Sequence, residues 1–71
     1  MKEVPFQVRS KEDFDLCYSS HIKVFVFNTD DMDGDPRFTG YLSDFNDDFI
    51  FVNGVPFGRD TFTVLTEDAR L

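Results

Sequence analysis

The 71-residue sequence lacks several features, and each absence excludes a class of protein. It has a single cysteine, Cys17, so no disulfide can form within the chain and nothing in it demands an oxidising compartment. No apolar run approaches the roughly 18 residues of a membrane-spanning helix. Met1–Pro5 leads into no apolar signal-peptide segment. We therefore expect a cytoplasmic protein with no membrane contact.

Residues that carry catalysis or bind zinc are also few. One histidine and one cysteine fall short of the four ligands of a zinc site. Cys17 and His21 have the i, i+4 spacing of neighbours on a helix, where a thiol and its activating base could meet. They share an apolar face with Phe14 and Tyr18, however, so we expect a buried cysteine and a histidine that ends the helix. The sequence predicts no enzyme and no cofactor.

Positive charge is scarce. Seven basic and fourteen acidic residues give a net charge of −7, which opposes nucleic-acid binding because Lys and Arg must neutralise phosphates there. A cluster of acidic residues is either a solvated loop or a surface that binds a basic partner. We predict a protein partner with a basic surface, and homo-oligomerisation stays open. The carboxylates expected to bind it lie between residues 30 and 48, namely Asp30, Asp31, Asp33, Asp35, Asp44, Asp47 and Asp48.

Arg59 has two interpretations. Arginine is enriched among the residues that dominate protein interfaces, and Phe57 stands close to it, so Arg59 is also a candidate for partner binding. Alternatively, Arg59 pairs with Asp60 or with an acid across the hairpin, which contributes about 0–1 kcal/mol.

The segment from Asp31 to Asp35 resembles the opening of a calcium loop, with carboxylates at the first, third and fifth positions. Pro36 stands where such a loop needs glycine, and Leu42 stands where it needs a bidentate glutamate, so an EF-hand is excluded. A solvated turn is favoured. Asp31, Asp33 and Asp35 are the residues that an irregular cation site would use, with Asp44 as a further ligand.

Aromatic residues are abundant: ten Phe and two Tyr, without Trp. Each aromatic side chain buries about 150–250 Å², so a short chain can fill one core with few residues. We predict a single α+β domain over residues 1–66 and a frayed tail over residues 67–71.

Capping and periodicity predict the first elements. Ser10 suits a helix N-cap with Asp13 completing a capping box, and the apolar face described above gives a helix of about ten residues. A strand over Val4–Val8 precedes the helix, at a sheet edge because Pro5 has no N–H. A strand over Ile22–Asn28 follows it, with apolar residues on both faces.

Turn residues predict the rest of the fold. Asn53-Gly54 is typical of a two-residue type I′ hairpin, Gly40 indicates a bulge or bend, and Pro56 indicates an edge or a bulge. The fold class is α+β, mainly β: a small, partly open antiparallel barrel or strongly bent sheet, with one short helix near the N-terminus. The strands are expected over Phe38–Phe45, Phe49–Val52, Val55–Phe57 and Thr61–Leu65.

The segment Gly40-Tyr41-Leu42-Ser43-Asp44-Phe45-Asn46 resembles the Gly-x-hydrophobic-x-x-Phe-Asp segment of Sm-like barrels, with Asn46 in place of the acid. Phe49–Val52 resembles the apolar strand that follows it in that family. The resemblance implies a small barrel, which an SH3-like architecture explains equally well. It also implies RNA binding by an oligomer, yet the charge has the wrong sign for RNA and no basic or His-rich segment follows Val64.

The sequence thus predicts a non-enzymatic, acidic protein-interaction module. Its profile is that of small phage or mobile-element proteins that bind and modulate a host protein. An Sm-like oligomeric RNA-binding protein and a calcium-responsive module are the alternatives.

Overall fold

The computed structural model describes residues 7–32 and 34–66. One helix and six strands follow each other in the chain: β1 (Gln7–Val8), α1 (Lys11–Ser19), β2 (Lys23–Asn28), β3 (Phe38–Phe45), β4 (Phe49–Val52), β5 (Val55–Gly58) and β6 (Phe62–Leu65). The strands form one antiparallel sheet in the order β1-β6-β2-β3-β4-β5. This confirms an α+β, mainly β fold with one short helix. Over the described residues the sheet is not closed into a barrel, and β1 and β5 are its two edges.

Helix α1 begins as its capping residues predict. The Ser10 hydroxyl accepts a hydrogen bond from the Asp13 N–H at 3.1 Å, and the Asp13 carboxylate accepts from the Ser10 and Arg9 N–H groups at 3.3 and 3.2 Å. Phe14 and Cys17 face the core and are buried. The capping box and the inward face are confirmed as far as Cys17.

The end of α1 lies close to the predicted one, but the buried face of the helix is narrower than predicted. The helix stops at Ser19, and His21 adopts a left-handed backbone conformation with φ at 56°. Tyr18 is 51% exposed, so its assignment to the buried face was wrong. A helix of this length covers the sheet with one short stripe, and that stripe is filled by Phe14 and Cys17.

Strand β2 is apolar on both faces, as predicted, and both faces are covered. Val24 and Val26 are fully buried in the main core beneath α1. Phe27 points to the opposite face, where Phe25 and its cross-strand partner Leu65 also lie, and it too is fully buried. The sheet therefore carries a second buried region behind the main core.

The bend in β3 lies two residues later than the glycine suggested. The pairing of β3 with β4 shifts between Leu42 and Asp44, which is where the bulge occurs. Gly40 serves a different purpose, because a Cβ there would lie 2.5 Å from Nδ2 of Asn53. Asn53 Oδ1 accepts a hydrogen bond from the Tyr41 N–H at 3.0 Å, which holds the β4–β5 turn against β3.

The Asn53-Gly54 hairpin is confirmed. Both residues have positive φ, 51° and 83°, and Val52 pairs directly with Val55 across the two-residue turn. The sequence placed Pro56 either on an edge strand or at a bulge, and the structure shows it on the edge strand β5.

The main core is continuous from the helix to β4. It consists of Val8, Phe14, Cys17, Val24, Val26, Leu42, Ile50, Val52 and Val64, with Ile22, Phe38, Phe45, Phe57 and Phe62 packed around it. Asp33, the first part of the strand predicted over residues 4–8, and the tail predicted over residues 67–71 lie outside the described residues.

Candidate partner-binding surface

Most of the predicted acidic residues lie in connections that backbone hydrogen bonds link to one another. The β2–β3 loop begins with Thr29, whose N–H donates to the Thr61 carbonyl at 3.0 Å in the β5–β6 turn. That turn is tied in the same way to the β3–β4 turn, because the Arg59 N–H donates to the Asp48 carbonyl at 2.9 Å. These two bonds therefore link three connections that are distant in sequence.

The β3–β4 turn is fixed by its own asparagine. Asn46 Oδ1 accepts hydrogen bonds from the Asp48 N–H at 2.9 Å and the Phe49 N–H at 2.8 Å, and its N–H donates to the Phe49 carbonyl. These bonds satisfy the backbone of the turn internally. The carboxylates of Asp47 and Asp48 consequently face solvent.

Arg59 connects the β5–β6 turn to the β3–β4 turn and to the start of the helix. Its Nη1 donates to the Asn46 carbonyl at 2.6 Å and its Nη2 to the Arg9 carbonyl at 3.2 Å. The guanidinium carbon lies 4.5 Å from the centre of the Phe14 ring, a cation–π distance. The partners of Arg59 among the described residues are thus backbone carbonyls and a ring rather than the acid expected from the sequence.

We call the parts of the three connections beside the two linking backbone bonds the acidic end; their exposed carboxylates are Asp30, Asp31, Asp47, Asp48 and Asp60. Two further predicted residues lie apart from it. Asp44 is exposed on β3, where its Oδ1 accepts from the Phe45 N–H at 2.8 Å, and Asp35 is exposed farther along the β2–β3 loop. Four of the predicted acids therefore lie in these linked parts of the connections, together with Asp60.

A groove of about 500 Å³ opens at the acidic end. Thr29, Asp47 and Asp60 line it from the three connections, and Ile50 and Phe62 contribute apolar surface. A smaller depression of about 230 Å³ lies beside it, between the helix start and the β3–β4 turn. This end thus combines carboxylates with concave, partly apolar surface.

Comparisons with protein-family models, with curated proteins and with solved structures find no match. The chemistry of the acidic end is therefore read from its own residues. The sequence-based prediction missed one residue of the acidic end and one residue directly beside it. Asp60 stands alone in sequence, and Phe49, 47% exposed directly after Asp48, was assigned only to a strand. The alternation of Phe49 and Phe51 with the buried Ile50 was the available signal for the exposure of Phe49.

Cys17 and His21 lie in different environments. Cys17 is 1% exposed, and burial, with the Asp13 carboxylate as a second cause, raises the pKa of its thiol. His21 is exposed, and its ring stacks on that of Tyr41 with the ring centres 4.5 Å apart. A protonated, buried thiol is a poor nucleophile. The prediction that this chain is not an enzyme stays a prediction.

Alkaline pH is expected to destabilise the fold through Cys17. The folded-state pKa lies above the ordinary thiol value of about 8.5, so the unfolded chain releases the proton first. This contribution to the free energy of unfolding is fully present below about pH 8 and is lost as the pH rises further. Urea unfolding at about pH 7 and about pH 9.5 should show a larger loss for the wild type than for Cys17→Ala. Equal losses would contradict the prediction.

Two negative findings concern the described residues only. Within 7–32 and 34–66, no three His, Cys, Asp or Glu side chains are close enough together to hold a metal ion. The cation site suggested for Asp31, Asp33 and Asp35 stays untested, because Asp33 is outside these ranges. In the same part of the chain, no helix has the length and apolar character needed to cross a membrane.

Proposed function

We propose that this chain is an acidic protein-interaction module that binds a basic surface of another protein through the acidic end. The observation that carries the proposal is the joining of three connections by the backbone bonds Thr29–Thr61 and Arg59–Asp48. These bonds fix the relative positions of backbone segments that carry carboxylates from separate parts of the sequence, and two of those carboxylates, Asp47 and Asp60, line one groove. A preorganised group of charges loses little conformational freedom when it binds.

The mechanism combines electrostatic steering with one apolar contact. The net charge of −7 attracts a basic partner and raises the association rate. Phe49 is the exposed aromatic side chain next to the acids, so we assign it the short-range contact. Tyr41 lies elsewhere, against His21 and the β4–β5 turn, and is not part of this surface.

We also propose that the fold is an open variant of the SH3-like or Sm-like small barrel. An antiparallel sheet bent at β3 and a single helix at the start of the chain support this assignment. The small size, the acidity and the interaction surface together suit a phage or mobile-element protein that modulates a host protein. These finer assignments rest on architecture and charge.

The test is a nuclear magnetic resonance titration with a synthetic lysine–leucine peptide as the basic probe. We expect the shifted amides to lie in the β3–β4 and β5–β6 turns, and the affinity to fall as salt is raised from about 0.05 to about 0.5 M. Changing Asp47 and Asp60 to asparagine together should weaken binding by about three- to tenfold. The matched control changes two exposed acids outside the acidic end, Asp15 and Asp44, to asparagine.

Three outcomes would contradict the proposal. One is an affinity that does not change with salt. Another is an equal loss of affinity in the Asp15/Asp44 control, which would mean that only total charge matters. The third is tighter binding of a single-stranded RNA oligonucleotide than of the peptide, which would favour the Sm-like alternative.

A further inference from the structure

Strand β5 is one of the two edges of the sheet, and an edge strand can pair with a strand of another chain. Strand β5 is accessible to solvent, because Val55 is 40% exposed and Pro56 is exposed as well. Whether β5 can recruit a further strand depends on which of its backbone groups point outward.

The register of the hairpin fixes that direction. Val52 pairs with Val55 across the two-residue turn, and at the far end of the hairpin the Arg59 N–H donates to the Asp48 carbonyl. Antiparallel strands bond to a given neighbour through every second residue. Residues 55, 57 and 59 therefore bond to β4, and Pro56 and Gly58 are the β5 residues whose backbone faces outward.

This outward side is poor in hydrogen-bond donors. An added antiparallel strand needs both the N–H and the C=O of each outward residue, and proline has no N–H. The Gly58 carbonyl already accepts a hydrogen bond from the Thr61 N–H at 3.2 Å. Across its four residues β5 thus offers a single outward N–H, that of Gly58.

The opposite edge strand is β1, and the backbone groups of Arg9, the residue that follows β1, already have hydrogen-bond partners. The Arg9 N–H donates to the Asp13 carboxylate, and the Arg9 carbonyl accepts from Arg59. The helix cap and the β5–β6 turn therefore use the backbone groups that Arg9 would need to extend β1 as a strand.

We propose that Pro56 keeps β5 from pairing with another strand, above all with β5 of a second copy of this chain. Antiparallel pairing of two β5 strands would be two-fold symmetric, because each copy contributes the same surface to the contact. With Pro56 in place, the chain meets other proteins through side chains. This inference goes beyond the proposed function and does not depend on the partner being basic.

The experiment restores the missing N–H. Pro56→Thr and Pro56→Ala both supply it, and Pro36→Thr is the control, since Pro36 lies in the β2–β3 loop and outside the edge strand β5. Mass is measured by light scattering from about 10 µM to about 1 mM, with about 0.3 M salt to screen the repulsion between chains. We expect the wild type and the control to keep the 8.3 kDa mass of one chain. Both Pro56 variants should approach twice that mass at high concentration, with the Gly58 amide newly protected from hydrogen exchange.

Several results would overturn the proposal. A folded Pro56 variant that keeps the mass of one chain would show that the missing N–H is not what prevents pairing. A wild-type chain that dimerises with a protected Gly58 amide would show that Pro56 does not block the edge. Loss of the folded spectrum in both variants would show that Pro56 serves the fold itself.

Discussion

Replacing Phe27 with alanine is expected to lower the free energy of unfolding by about 3–5 kcal/mol. Phe27 is fully buried on the face of the sheet opposite the main core, so its removal leaves a cavity that the strands cannot close. A domain of this size has a total stability of about 4–10 kcal/mol, so this variant should lose a large share of its stability. Urea unfolding followed by circular dichroism measures the loss.

Phe49→Ala is the matched control for this prediction, because it removes the same atoms from an exposed position. We expect its stability to stay within about 0.5 kcal/mol of the wild type. If Phe27→Ala does not fold, Phe27→Leu fills most of the site and keeps the comparison measurable. Similar losses for the two alanine variants would mean that the second buried region contributes little to stability.

Gly40→Ala is expected to cost about 2–4 kcal/mol and to lower the melting temperature by about 10–20 °C. The new Cβ would lie 2.5 Å from Nδ2 and 2.8 Å from Cγ of Asn53, so that side chain must move. Its movement breaks the hydrogen bond from the Tyr41 N–H to Asn53 Oδ1. Calorimetry of the variant and the wild type gives the difference directly.

A second substitution separates the clash from other effects of the added methyl group. Asn53→Gly removes the obstructing side chain and suits the left-handed backbone at this position, at the cost of one hydrogen bond, about 1 kcal/mol. In that background, Gly40→Ala should cost less than about 0.5 kcal/mol. Additive losses in the double variant would contradict the assigned contact.

The strands after residue 37 could be predicted because their turns are encoded locally. Asn53-Gly54 supplies positive φ at both positions, and Asn46 closes the β3–β4 turn with its own side chain. The capping box of α1 is equally local. In each case the residues that decide the structure lie within about five positions of one another, so short-range physical chemistry is sufficient.

The remaining features depend on contacts that sequence spacing does not reveal. Helical periodicity placed Tyr18 with Phe14 and Cys17, but the width of the buried stripe is set by the sheet beneath the helix. Gly40 was attributed to a bend, whereas its neighbour is the side chain of Asn53 from a later turn. Both outcomes required the strand order to be known.

The acidic end shows the same division. The density of carboxylates between residues 30 and 48 was visible in the sequence, and four of those residues lie beside the backbone hydrogen bonds that link the three connections. The sequence alone could not assign Asp60 to the acidic end. Its position beside the β3–β4 turn follows from the Arg59–Asp48 backbone bond and from the path of β5. The sequence also could not show that Asp44 lies apart from the acidic end, because the position of Asp44 on β3 depends on the bulge.

The adjacency of β1 and β6 has a consequence for how the chain folds as it is synthesised. Helix α1 can form early, because its capping bonds join neighbouring residues. Val8 finds its sheet partner, Val64, only after nearly all of the described chain has emerged, and the ring of Phe14 must likewise wait for Arg59. Contacts between distant segments form slowly because closing the loops between them costs entropy. We therefore expect the sheet to be completed in one late, cooperative step, with the apolar face of α1 exposed to chaperones until then.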